Sequence, residues 1–106
     1  MAYIYEVSFA INKDQMSQLE IGQPLERVIG YLRALLPGEP GYVTSRAMYS
    51  MDDPDNTNLI IQSVWEIWDD LENHKNSALA EQKALTEFAP HISQEALTVR
   101  IYEEVT

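Results

Sequence analysis

The chain has 106 residues, with 17 acidic against 7 basic side chains, a formal net charge of −10 and no cysteine. A chain of this length makes one domain, residues 1–106, and buries only about two-thirds of the surface its open form exposes, so association helps its stability. The charge repels phosphate backbones and anionic lipid, which argues against nucleic acid and membrane partners, and the absent thiols exclude disulfides and cysteine nucleophiles.

No apolar run approaches the roughly 20 residues of a membrane helix, and the first residues lack the basic stretch and apolar run of a secretory signal. A cytoplasmic protein is the expectation. Ala2 to Ile11 (AYIYEVSFAI) alternates Tyr3, Tyr5, Val7 and Phe9 with Ile4, Glu6 and Ser8, which predicts a first strand with one apolar and one mixed face. Ser17 and Glu20 have the spacing of a capping box, yet Gly22 and Pro24 interrupt what they would start. Asn12 to Gln23 therefore reads as a loop or short turn of helix, a candidate lid, with Pro24 as the first position of the following helix. Leu25, Val28, Ile29, Leu32, Leu35 and Leu36 then fall on one helical face, ended by Pro37, Gly38, Pro40 and Gly41.

A second strand follows from Tyr42 to about Met51, and Asp52 to Asn56 is a turn cluster before the third. The acidic loop lacks the spaced glycine and closing glutamate of a calcium site, and His74 and His91 have no metal-ligand spacing, so no metal is expected. The central stretch, Leu59 to Ser77 (LIIQSVWEIWDDLENHKNS), begins as a strand buried on both faces and ends in Trp65 and Trp68. Its second half is helical, with Asp69, Asp70 and Glu72 where the positive end of the helix dipole favours carboxylates. A strand that hands over at a tryptophan to a helix carrying His74 puts an indole and an imidazole within reach of one cavity. Ala78, Leu79, Leu85, Phe88 and Ala89 mark a further helical face broken at Pro90, and Glu95 to Glu104 alternates as the last strand.

The order βαββαβ predicts an α+β, ferredoxin-like sandwich, a four-stranded antiparallel sheet in order 4-1-3-2 with its helices on one face. With Val7, Trp65, Leu97, Val99 and Ile101 toward the helices, the other face carries Ile4, Glu6, Ser8, Arg46, Ile60, Gln62, Val64, Glu66, Thr98, Arg100 and Tyr102. That strand order sets Glu6 beside the strand of Arg100 and Glu66 beside that of Arg46, as ion pairs. Such a mixed face suits packing against a second copy, a two-fold homodimer; the competing reading is a solvated sheet face.

The first strand, the PGEPGY turn after the first helix, the SVWE strand end and the LENHKNSA segment occur in an order that resembles the antibiotic biosynthesis monooxygenase family of dimeric α/β-barrel proteins. Members of that family oxygenate polycyclic phenols or quinols without metal or flavin, or degrade haem. The haem branch carries an asparagine on the first strand, a tryptophan on the third and a histidine on the last helix; by spacing the asparagine position here is Val7, and Ser77 to Phe88 has no histidine, so haem is not expected. The resemblance thus implies a cofactor-independent monooxygenase acting on a small aromatic phenol or quinol. In such chemistry the deprotonated substrate itself reduces dioxygen, and the protein supplies a dry cavity, a base and a donor to developing negative charge.

On that reading His74 is the base and Trp65 donates through its indole N–H. Ser63 and Tyr49 hydrogen-bond a phenol or quinone oxygen, and Tyr5, Val7, Phe9, Leu32, Ile67 and Phe88 wall the cavity. Trp65 as a core aromatic and His74 as an exposed or capping histidine stand beside these roles. Trp68, of opposite parity, belongs at the sheet edge or a dimer contact. The alternative function is a non-catalytic dimer that binds a small apolar ligand. An enclosed cavity reached by His74 favours the enzyme, whereas a space filled by Phe9, Trp65 and Phe88 favours the binder.

Overall fold

The computed structural model describes residues 2–105. Strand β1 spans Tyr3–Asn12, helix α1 Gln18–Leu35, β2 Tyr42–Tyr49, β3 Asn56–Trp65, α2 Trp68–Ser77, α3 Leu79–Phe88 and β4 Thr98–Glu103, with short 3-10 helices at Leu36–Gly38 and Gln94–Ala96. The four strands form one antiparallel sheet in the order β2-β3-β1-β4, which is the predicted ferredoxin-like arrangement. The sheet packs its Tyr5, Val7, Phe9, Ile11, Leu59, Ile61 and Trp65 side chains against Ile21, Leu25, Val28 and Leu32 of α1, Leu71 of α2 and Ala80, Ala84 and Phe88 of α3. No helix among the described residues is long and apolar enough to cross a membrane.

Helix α1 begins six residues before the expected Pro24. Ser17 caps it: its hydroxyl accepts from the Glu20 amide at 3.2 Å, and the Glu20 carboxylate accepts from the Ser17 amide at 3.1 Å. Ile21 extends the buried stripe one turn upstream, and Pro24 itself is buried on that stripe. A proline here removes one ladder bond, and the reciprocal cap together with burial of Ile21 outweighs that loss.

Turn chemistry positions the other elements. Gly41 has φ 76°, and a Cβ added there would collide with the Asp70 carboxylate, so the start of β2 lies directly against the first turn of α2. The Glu66 amide donates to the Gly41 carbonyl at 2.9 Å and fastens the end of β3 to the same turn. The helical face expected after Ser77 is α3, set off from α2 by Ala78 in the left-handed region with φ 53°. Residues 94–96 form a 3-10 turn, so β4 starts at Thr98 rather than Glu95.

The uncovered sheet face departs from its expected ion pairs. Glu66 lies past the end of β3, and the register puts Arg46 opposite Gln62, whose side-chain oxygen accepts from Arg46 Nε at 2.7 Å. Glu6 does lie opposite Arg100, but its carboxylate accepts from Gln62 at 2.8 Å and from the Tyr102 hydroxyl at 2.9 Å. The salt bridge among the described residues, Arg27 with Glu87 at 2.6 Å, ties α1 to α3 on the outer side of the helices. Val99, expected to face the helices, is 41% exposed because β4 is an edge strand.

The cap is the feature on which the first turns of α1 rest. Ser17→Ala is expected to lower unfolding free energy by about 1 kcal/mol in urea melts, and Ser17→Asp to restore it.

Candidate functional site

Strand β3 lies between β2 and β1, and its period of two turns Leu59, Ile61, Ser63 and Trp65 toward the helices. After Trp65 the chain stays extended to Ile67 and then enters α2, where Leu71 and His74, three residues apart, share the buried side. His74 is 6% exposed, so the competing picture of a surface histidine fails. Its imidazole stacks on the Trp65 indole with centroids 5.0 Å apart and planes at 29°, and the Tyr5 ring meets it edge-on at 5.1 Å. Tyr5 lies opposite Ser63 across the β1–β3 ladder.

Polar atoms in this layer are mostly paired. The Trp65 indole N–H donates to Ser63 Oγ at 2.9 Å, a buried bond, and the Tyr42 hydroxyl meets Ser45 Oγ at 2.8 Å. Three buried side-chain atoms among the described residues are not paired, Nε2 of His74 and Oε1 of Glu81 here and Oγ1 of Thr57 at the far end of β3. Burial pushes the His74 pKa down to about 4, which leaves the ring neutral at pH 7 and able to accept a proton through one nitrogen. Burial first, then the neighbouring Glu81 carboxylate, pushes the Tyr5 phenol upward, so it stays a proton donor. Glu81 escaped the sequence reading, although it falls at i, i+3, i+4 and i+7 with Ala84, Leu85 and Phe88 and so carries a carboxylate onto an apolar stripe.

A cavity of about 180 Å³ opens beside this stack. Leu35, Leu36 and Glu39 close it from the end of α1, Trp65 and His74 form its aromatic wall, and Asn73, Ser77 and Leu79 complete it at the α2–α3 junction. His74 and Trp65 therefore do come together at one hollow.

The other expected positions divide. Trp65 is a wall rather than a donor, since Ser63 already takes its N–H, and the same bond occupies Ser63. Val7, Phe9 and Phe88 are 0%, 4% and 0% exposed and form solid core, Phe9 meeting Phe88 edge-on at 5.2 Å; none lines this cavity. Tyr5 reaches it only through His74, and Leu32 is core. Tyr49 lies on a separate groove of about 500 Å³ between α1 and β2, with Met48 and Met51. Ile67 is 55% exposed, and Trp68, at 41%, meets Tyr3 edge-on and donates its indole N–H to Glu72. Among the described residues no three histidine or acidic side chains gather in a way that could hold a metal ion.

No protein-family profile matches the chain, and no curated protein does. Solved structures do. A putative antibiotic biosynthesis monooxygenase from Bacillus cereus aligns with a TM-score of 0.69 at 15% identity, over 100% of this chain and 93% of that one. SnoaB, a cofactor-independent oxygenase from Streptomyces nogalater, aligns with a TM-score of 0.61 at 12% identity, over 99% and 94% of the two chains. A de novo designed protein also aligns with a TM-score of 0.61, at 5% identity over 98% of this chain and 99% of that one. The chain has the fold of the solved antibiotic biosynthesis monooxygenases, and a fold does not by itself carry an activity.

The buried imidazole makes stability depend on pH in a defined window. The unfolded ring takes its proton near 6.5 and the folded ring near 4, so between these values the unfolded chain binds more protons and stability falls as pH falls. Urea melts are expected to lose on the order of 2 kcal/mol from pH 7 to about pH 5, above the range of most carboxylates. His74→Gln is expected to flatten that slope; an unchanged slope in the variant would place the titration elsewhere.

Proposed function

We propose that the chain is a cofactor-independent monooxygenase whose substrate, an aromatic phenol or quinol, binds in the hollow beside His74. One observation carries this reading: a neutral imidazole with an unpartnered ring nitrogen borders a cavity in a fold shared with a cofactor-independent oxygenase. The ring accepts the hydroxyl proton of the substrate. A base whose pKa lies near 4 is weak for this task, but the phenolate formed beside it is the opposite charge that raises the imidazolium's pKa, so proton transfer is coupled to binding. The electron-rich phenolate then reduces dioxygen. For a hydroquinone the balance is quinol plus dioxygen to hydroxyquinone plus water, with the substrate as the only electron donor.

The proposal extends to a homodimer through the uncovered sheet face. Glu6 is only 8% exposed there, and Ile4, Ile60 and Val64 are half-buried, in a layer already ordered by the Glu6, Gln62 and Tyr102 hydrogen bonds. Light scattering is expected to return twice the chain mass, with Ile60→Glu reducing it to one; a monomer at micromolar concentration would refute this.

A second reading, a non-catalytic ligand-binding protein, is favoured by the tight packing of Val7, Phe9 and Phe88. Oxygen uptake with a panel of quinols separates the two. His74→Gln is expected to cut kcat by about 100-fold or more, whereas Trp65→Phe, which removes an N–H already taken by Ser63, keeps kcat within several-fold. A His74→Gln variant as active as the parent, or no uptake with any quinol, would leave the binding protein.

A further inference from the structure

We infer that the cavity beside His74 selects neutral, single-ring hydroxyarenes and rejects both fused-ring and carboxylated ones, with Glu39 as the specificity-determining residue; this rests on the reading of that hollow as the substrate site. Size comes first. An apolar cavity of about 150 Å³ accommodates benzene, and this one, at about 180 Å³, has space for one ring with its hydroxyls. Its inner wall is not free to retreat, since Trp65, Leu36 and His74 are 1%, 2% and 6% exposed and packed into the core, whereas Leu35, Glu39, Asn73 and Ser77 at the mouth are exposed.

Charge points the same way from separate features. No arginine or lysine lines the cavity, and the charged side chain at its mouth is Glu39. That residue is held in place by its backbone, its amide donating to the Leu36 carbonyl at 2.8 Å and its carbonyl accepting from the Tyr42 amide at 3.4 Å. Two helices end beside the cavity, α1 at Leu35 and α2 at Ser77, and the C-terminal end of each carries the partial negative charge of its dipole. Helix α3 begins at Leu79, but its first amide is met by Ser77 Oγ at 3.3 Å, which weakens the opposing positive end. A carboxylate on the ligand would enter with no counter-ion and three negative neighbours.

A neutral phenol finds partners instead. The Glu39 carboxylate accepts its hydroxyl proton in a hydrogen bond, and the Asn73 amide, at the cavity wall, both donates and accepts. The Ser77 hydroxyl is unavailable because it donates to the His74 carbonyl at 2.6 Å.

Calorimetric titration of the full chain with hydroquinone, 2,5-dihydroxybenzoate and 1,4-dihydroxynaphthalene tests this without depending on turnover. Hydroquinone is expected to bind at least tenfold more tightly than either of the others. Glu39→Lys, at an exposed position, is expected to improve 2,5-dihydroxybenzoate by tenfold or more while leaving 1,4-dihydroxynaphthalene weak. Equal affinities in the parent, or a Glu39→Lys variant that shifts hydroquinone and 2,5-dihydroxybenzoate alike, would overturn the selection. Selective binding without oxygen uptake would instead sustain it and remove the oxygenase reading. Absence of binding by all three would remove the cavity as a site.

Discussion

The stack of the His74 imidazole on the Trp65 indole is the contact on which the rest of the functional region depends. A histidine shut away from water keeps its proton off, because the charged ring has no counter-ion there and loses its hydration. Trp65 provides an apolar face for that neutral ring, and Ser63 holds the indole in plane by accepting its N–H. The result is an imidazole whose orientation is set by packing and whose ring nitrogen is left without a partner. Buried polar atoms are usually paired, so an orphan of this kind calls for a ligand, a water or a catalytic use.

The scaffold holds this contact through backbone constraints some distance from the rings. Gly41 lets the chain turn where any side chain would strike Asp70, and so brings the first turn of α2 against the end of β3. Ala78, in the left-handed region, ends α2 and starts α3, and its two neighbours Ser77 and Leu79 border the hollow. The sheet's central strand thus supplies the floor, and two helix junctions supply the rim. Cavity size and polarity are set by these junctions more than by the core beneath, which Val7, Phe9 and Phe88 fill.

Much of the fold was legible in the chain because its signals are periodic. Alternation in β1 and the run from Leu25 to Leu36 gave the right elements, and the strand order followed from one hairpin, β2 to β3, and two helical crossovers expected to be right-handed. What escaped depends on competition between local and tertiary effects. Pro24 and Gly22 looked like a boundary, but a reciprocal cap at Ser17 and Glu20 and the burial of Ile21 carry the helix through them. The partner of Arg46 was misplaced because register, not strand order, decides it, and Glu66 lies beyond the last ladder pair. At the site, the pairing of Trp65 with His74 was readable from their spacing across a strand-to-helix turn. The cavity walls were not, since Leu35, Glu39 and Leu79 approach it from elements whose ends, rather than whose faces, line it. Glu81 was readable in principle, as a carboxylate on the helical stripe of Phe88.

Long-range proton–nitrogen NMR of the histidine rings, with His91→Ala to isolate His74, tests the central claim most directly. Titrated in the absence and presence of hydroquinone, the His74 ring is expected to remain neutral down to about pH 5 when free, and to show a large change in at least one nitrogen shift on binding. An imidazole that gains its proton near 6.5, with nitrogen shifts indifferent to hydroquinone, would contradict the account.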